Sequence, residues 1–224
     1  MAYEGPNPLP VPSGMTGNAS FTANGIICGG ITSTAAFQSA GTGTAGQLLT
    51  NNAGALPTWT GAGSLVLLNS QNASSSASIA FSSTYLTSTY NNYIVVLSNV
   101  QYSTSSSLEL VFSTNNGSTY LASNYLGGTL YNQTSAGVAW GNLVATTYCY
   151  MDNIGTGQYN NFVIYLENFT SNLYPQVSGT SNRSGYMELL SCQNTANNII
   201  NNIKFLPAAG TITAGTFTLF GVLE

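Results

Sequence analysis

The chain has no histidine, and charged residues fill only 4% of its 224 positions, against about a quarter in an average soluble domain. The acids are Glu4, Glu109, Asp152, Glu167, Glu188 and Glu224; the cations are Arg183 and Lys204. Each shortage excludes something. Without histidine the commonest general base is missing, and neither a Ser-His-Asp nor a Cys-His nucleophile can be assembled. Two cations and a net charge of −4 leave no basic surface to neutralise a run of phosphates, so no nucleic-acid partner is expected. Long apolar runs are missing as well. The densest stretches, Leu65-Val66-Leu67-Leu68 and Ile94-Val95-Val96-Leu97, fall far short of the roughly 20 residues of a membrane helix, so no membrane insertion is expected. The opening MAYEGPNPLPVPSG lacks the basic region and apolar core of a secretory leader. No phosphate-binding or dinucleotide glycine motif occurs, and no cofactor is expected.

Cysteine is scarce: Cys28, Cys149 and Cys192 form no CxxC pair and no metal spacing. They read as small buried hydrophobes, with a Cys149–Cys192 disulfide open as the alternative. Low charge does not mean disorder here. The chain is 43% hydrophobic and 11% aromatic, whereas disorder goes with low hydrophobicity and high net charge. Its surface must be polar through Ser, Thr, Asn, Gln and Gly.

Residues 1–14 are Pro-rich. Pro fixes φ and removes donors, so the segment is predicted to be extended. Tyr3, Pro6, Pro8, Leu9, Pro10, Val11 and Pro12 are its candidate attachment residues, held by a partner protein in a larger assembly. Residues 15–63 carry too few apolar side chains for a private core. Ile26, Ile27, Phe21 and Phe37 can be buried only against a neighbour, which a closed symmetric homo-oligomer supplies; a flexible linker is the alternative.

Two stretches in this region carry a resemblance. Gly25-Ile26-Ile27-Cys28-Gly29-Gly30-Ile31-Thr32-Ser33-Thr34-Ala35-Ala36-Phe37-Gln38-Ser39 resembles the GLICGGTTSTGAFQS element of phage tail-fibre shafts. Gly46-Gln47-Leu48-Leu49-Thr50-Asn51-Asn52-Ala53-Gly54-Ala55-Leu56-Pro57-Thr58-Trp59 resembles GQVLTSNGAGALPTW, which ends such shafts and precedes a C-terminal domain. The resemblance implies a bacteriophage virion fibre, a parallel homotrimer with interleaved β-structure, anchored to tail, collar or capsid proteins. A head or collar fibre with no specific receptor and a polysaccharide depolymerase tailspike are the alternative readings. Trp59 is expected to bury its ring at the junction of shaft and following domain.

Residues 64–224 read as one antiparallel β-sandwich, jelly-roll-like, without helix. Strands are predicted over 64–70, 77–82, 92–102, 107–114, 143–151, 161–169, 184–193, 199–206 and 216–223, separated by turn clusters such as Asn115-Asn116-Gly117, Gly127-Gly128 and Ala208-Ala209-Gly210. Leu108/Leu110/Phe112 and Phe162/Ile164/Leu166 alternate on one face. This domain too is similar, more loosely, to the sandwich that follows ALPTW in phage fibres.

Chemistry is thin. A carboxylate pair of the glycosidase kind could come only from Glu109, Asp152, Glu167 and Glu188. The three glutamates are opposite in parity to the apolar faces and read as solvated, so no catalytic residue is expected. Asp152-Asn153 with Gly155 could begin a Ca²⁺ loop, but one carboxylate is too few, and a β-turn with no metal is the expectation. Sugar adhesion suits the 14 tyrosines better, because Tyr offers an apolar face with a polar tip. Tyr125, Tyr131, Tyr159 and Tyr174 in loops, Trp140 between glycines and Arg183 with its bidentate fork are the candidate contacts to a host polysaccharide.

Overall fold

The structure, a computed structural model, describes residues 22–223 apart from 31, 33–34, 45–46, 62–64, 134–136 and 184–185; for 131–133, 137–146, 183 and 186 it describes the backbone alone. The Pro-rich segment with Tyr3, Pro6, Pro8, Leu9, Pro10, Val11 and Pro12 lies outside these residues. The chain divides into two compact units, Met1–Ser64 and Leu65–Glu224. Among the described residues there are strands and turns but no helix.

The first unit holds two separate two-stranded antiparallel hairpins. β1 (Ile27–Cys28) pairs with β2 (Gln38–Ser39), and β3 (Gln47–Thr50) pairs with β4 (Thr58–Gly61). The second hairpin turns through Asn52, whose side-chain amide donates to the Leu56 carbonyl at 3.1 Å and to Thr58 Oγ1 at 2.9 Å. Trp59 is half-buried within this unit: its Nε1–H donates to the Gly41 carbonyl at 3.3 Å. A Cβ at Gly43 would lie 2.6 Å from its ring, so glycine is what lets the indole lie down there. Ile26, Ile27, Phe37, Leu48 and Leu49 remain exposed.

The second unit contains β5 (Leu65–Asn72), β6 (Ile79–Phe81), β7 (Asn92–Tyr102), β8 (Ser106–Ser113), β9 (Tyr125–Gln133), β10 (Gly137–Thr146), β11 (Cys149–Ile154), β12 (Asn160–Glu167), β13 (Gln176–Arg183), β14 (Tyr186–Asn194), β15 (Asn202–Pro207) and β16 (Ile212–Val222). They form an eight-stranded sheet, in the order β10-β9-β14-β13-β12-β7-β16-β5, and a four-stranded sheet, in the order β11-β8-β15-β6. All pairings are antiparallel. Side chains alternate across each strand, and the inward set of both sheets makes one core. In β12, Phe162, Ile164 and Leu166 are buried while Val163, Tyr165 and Glu167 face out. Rings bridge the sheets, Phe205 on β15 lying 5.7 Å from Phe217 on β16. Phe112 sits 5.0 Å from Phe169 and 5.1 Å from Tyr125.

The sandwich-like all-β architecture agrees with the reading of the sequence, with three corrections. First, β9 and β13 were not expected. Gly127-Gly128 reads as a turn, yet it lies within β9, because the sheet there has no room for side chains: a Cβ at Gly127 would come 2.5 Å from the Ser191 carbonyl oxygen. Gly179 in β13 is tighter, 2.3 Å from the Val163 carbonyl. Second, the predicted strand over 143–151 is the end of β10 and the start of β11, two strands in different sheets.

Third, Cys149 and Cys192 are not merely small hydrophobes. They form a disulfide with Cα atoms 5.8 Å apart, tying β11 of one sheet to β14 of the other. The bond spans 43 residues, for which loop-closure entropy gives about 4 kcal/mol, toward the upper end of what native disulfides contribute. Denaturant unfolding with and without reductant checks this. We expect reduction, or Cys149→Ala with Cys192→Ala, to lower the unfolding free energy by about 2–4 kcal/mol while leaving the far-ultraviolet spectrum β-rich.

Candidate functional site

The carboxylates divide in a way their parity did not reveal. Glu167 is exposed and Glu109 is half-buried on the outward side of β8, but Asp152 and Glu188 are buried, at 1% and 5% exposure. Glu188 therefore departs from the expectation of a solvated acid, and Asp152 from that of a turn residue. The register places Glu188 directly opposite Ser181, and Ser181 is itself buried, on the inner face of the eight-stranded sheet. Its hydroxyl donates across the sandwich to Asp152 Oδ2 at 2.6 Å. Asn160 Nδ2 reaches the same oxygen at 3.4 Å, and the Asn153 N–H donates to Oδ1 at 2.6 Å.

Asp152 thus begins no calcium loop. It lies inside β11, which pairs with β8 through Ile154, and its carboxylate is a polar tie between the sheets. Among the described residues no group of three His, Cys, Asp or Glu side chains could hold a metal. Asp152 and Glu188 are also not presented to a polymer in a cleft, which a glycosidic pair requires. The Tyr102 hydroxyl is buried beside this cluster without a hydrogen-bond partner. Burial, and then the negative charges of Asp152 and Glu109, hold it well above the usual phenol range.

The six sugar-contact candidates do not form one site. Tyr125 is fully buried in the core, where its Oη accepts the Phe112 N–H at 2.9 Å. It opens β9, a strand the sequence disguised, and so it is not an exposed loop residue. Tyr131 and Trp140 also lie in strands, opposite Ala139 and Leu130 respectively; their side chains are outside the described atoms. Arg183 ends β13 opposite Asn160 and does not sit in a loop. Tyr159 and Tyr174 are exposed as expected, at 58% and 47%. They flank opposite ends of the β12–β13 pair, since Asn160 is in register with Arg183 and Glu167 with Gln176. Eight strand residues separate those ends by about 24 Å, too far for one sugar ring.

Lys204, the other cation, is engaged: its Nζ lies 3.8 Å from the centroid of the Tyr120 ring, a cation–π contact. The Tyr120 hydroxyl donates to Asn202 Oδ1 at 3.0 Å.

The more coherent surface is the outer face of the eight-stranded sheet, in two halves. Over β9, β14 and β13 the outward side chains mix small or polar residues with Leu130, Leu189 and Met187, the last two exposed at 43% and 56%. Ser178 stands opposite Ser191, and Gln176 opposite Gln193. They line a shallow depression of 280 Å³ with Leu126, Gly127 and Glu167. Short side chains at Ser178 and Ser191, side by side in register, leave it open. Exposed Tyr174 precedes Gln176 by two residues, at this end of the sheet. Uncharged donors and acceptors, one carboxylate and a nearby aromatic ring form the kind of set that can hydrogen-bond and stack on a sugar. Over β12, β7, β16 and β5 eight outward residues adjoin as an apolar patch, bordered by Thr218, Ser70, Asn92 and Glu167. Tyr165 faces Ile94, Ile94 faces Phe220, and Phe220 faces Leu67. Tyr165 was legible, since the inward parity of Phe162, Ile164 and Leu166 already turns it out. The depression was not, because its floor runs through β9 and β13.

Burial raises the Glu109 carboxyl above its usual range. The folded chain therefore holds a proton that the unfolded chain releases. The stability this favours is present below the ordinary carboxylate pKa and is lost as pH rises through the folded value. We expect Glu109→Gln to raise the melting temperature at about pH 7 and to leave it unchanged near pH 3, as thermal unfolding at the two pH values will show.

No protein-family model matches the chain, and no curated protein matches it, so its function is argued from its own residues and geometry.

Proposed function

We propose that this chain is a structural fibre of a bacteriophage virion, a homotrimer that presents a C-terminal head for adhesion to a host-surface carbohydrate. In this reading residues 1–14 attach the fibre to other virion proteins, residues 15–63 form the trimeric shaft, and residues 64–224 are the head. The observation that carries the proposal is the state of the two hairpins. An isolated two-stranded hairpin is marginal at best in water. Among the described residues both hairpins stand alone in their sheets and expose Ile27, Phe37, Leu48 and Leu49. Copies of the same segment would bury these side chains and pair the open edges. The resemblance of residues 25–39 and 46–59 to fibre-shaft elements falls on these hairpins.

Three further features support the reading. The disulfide between the sheets suits a part that works outside a reducing cytosol. A polar surface built from uncharged side chains suits a glycan rather than a charged polymer. The jelly-roll-like description of the head draws support from consecutive strands that change sheet, β7 to β8 and β15 to β16.

Two experiments test the proposal. Deleting Met1–Ser13 should leave a folded oligomer that is missing from purified particles; particles that still carry the truncated protein would refute the attachment role. Tyr174→Ala with Gln176→Ala should weaken binding to host-surface polysaccharide about tenfold, the effect of about 1.4 kcal/mol, without shifting the melting temperature. Undiminished binding, read by biolayer interferometry, would remove the depression from the account.

A further inference from the structure

We infer that the apolar half of the outer sheet face, over β12, β7, β16 and β5, is an interface with a second copy of this chain. The inference rests on the self-association proposed above and assigns it a surface on the head that the shaft-like motifs do not cover.

One row of this face runs in register from Tyr165 through Ile94 and Phe220 to Leu67. The row beside it pairs Val163 with Val96 and ends in Thr218 and Ser70, and a third pairs Val222 with Leu65 on one side and Asn92 on the other. Leu67 is 61% exposed, Leu65 49%, Tyr165 45% and Val163 37%. Isolated exposed apolar residues are ordinary, but eight outward ones adjoining on one sheet are not.

Charge narrows the occupant. Among the outward residues of these four strands Glu167, at one corner, carries the only charge. An interfacial membrane contact would bring Lys or Arg around the apolar patch, and a charged protein partner would need opposite charge. Neither is provided. A face with its one charge at a corner meets its own copy with little like-charge repulsion.

Connectivity favours a copy as well. Four strands about 4.8 Å apart, with three outward rows about 7 Å apart, project roughly 400 Å². That is about half of the ~800 Å² each partner contributes to a standard interface. A contact that small needs a tether to hold. The second unit begins at Leu65, so Leu65 and Leu67 directly follow the segment that joins the copies. Tethering at that point raises the local concentration of one head for the next to the millimolar range.

The test uses the full chain in a Cys28→Ser background, so that an introduced cysteine is the only free thiol. Thr218→Cys lies within the apolar half of the face, opposite Val96, and Ala208→Cys lies on an exposed turn as the control. Labelling with a water-soluble maleimide should be at least about tenfold slower at position 218 than at 208. Adding Leu67→Glu and Tyr165→Glu, both outward and clear of the core, should restore fast labelling at 218. Equal labelling rates in a chain that sediments as a trimer would overturn the interface and leave the fibre reading standing. A monomer would overturn both, and slow labelling of position 218 in a monomer would mean that the chain covers this face itself.

Discussion

The interlock of inward side chains between the eight-stranded and four-stranded sheets is the constraint on which the second unit depends. Phe112, Phe162, Phe205 and Phe217 are fully buried, and each contributes on the order of 2–3 kcal/mol through apolar area removed from water. Once these positions are committed inward, the period of two sends every intervening residue outward. The chain then has almost no charge with which to make that outward surface soluble. Its answer is mixed: Ser, Thr, Asn and Gln over β13, with Met187 and Leu189 exposed beside them on β14, and Ile, Val, Phe and Leu among Ser, Thr and Asn over β7, β16 and β5. The same sheet therefore carries a polar trough and an apolar half as a consequence of its composition.

The interior also tolerates polarity where the geometry satisfies it. Asp152 accepts hydrogen bonds from a backbone N–H, a hydroxyl and an amide, close to where the disulfide joins the same strand to β14. A buried carboxylate is costly unless it is fully hydrogen-bonded, and leaving it without Ser181 would expose that cost. The pair of ties, one covalent and one polar, fixes β11 against the longer sheet and with it the register of the two inner faces.

Much of this was legible in the sequence, and the failures have physical reasons. The alternation in β7, β8, β12 and β16 is strong because one face is buried and the other is not. β9 and β13 were hidden because their glycines and serines answer to backbone proximity, not to side-chain packing. Tyr125 was misplaced along with β9: next to Gly127-Gly128 it looks like a loop aromatic, and it is a core ring. Glu188 was misplaced because parity alone does not show that a polar inner edge can absorb a carboxylate, and Asp152 because Asn153 and Gly155 beside it look like a turn. The exposed Tyr159 and Tyr174 were correctly read from turn chemistry, but their separation along β12 and β13 depends on a pairing that the sequence did not reveal.

The account stands on the claim that this chain is completed by copies of itself. Its mass in solution measures that most directly. Light scattering on the full-length protein at micromolar concentration should give about 70 kDa, three chains of 23.3 kDa. A single species of 23.3 kDa that is folded and stable would contradict it, since the exposed hairpins and the apolar sheet face would then persist in water without a partner.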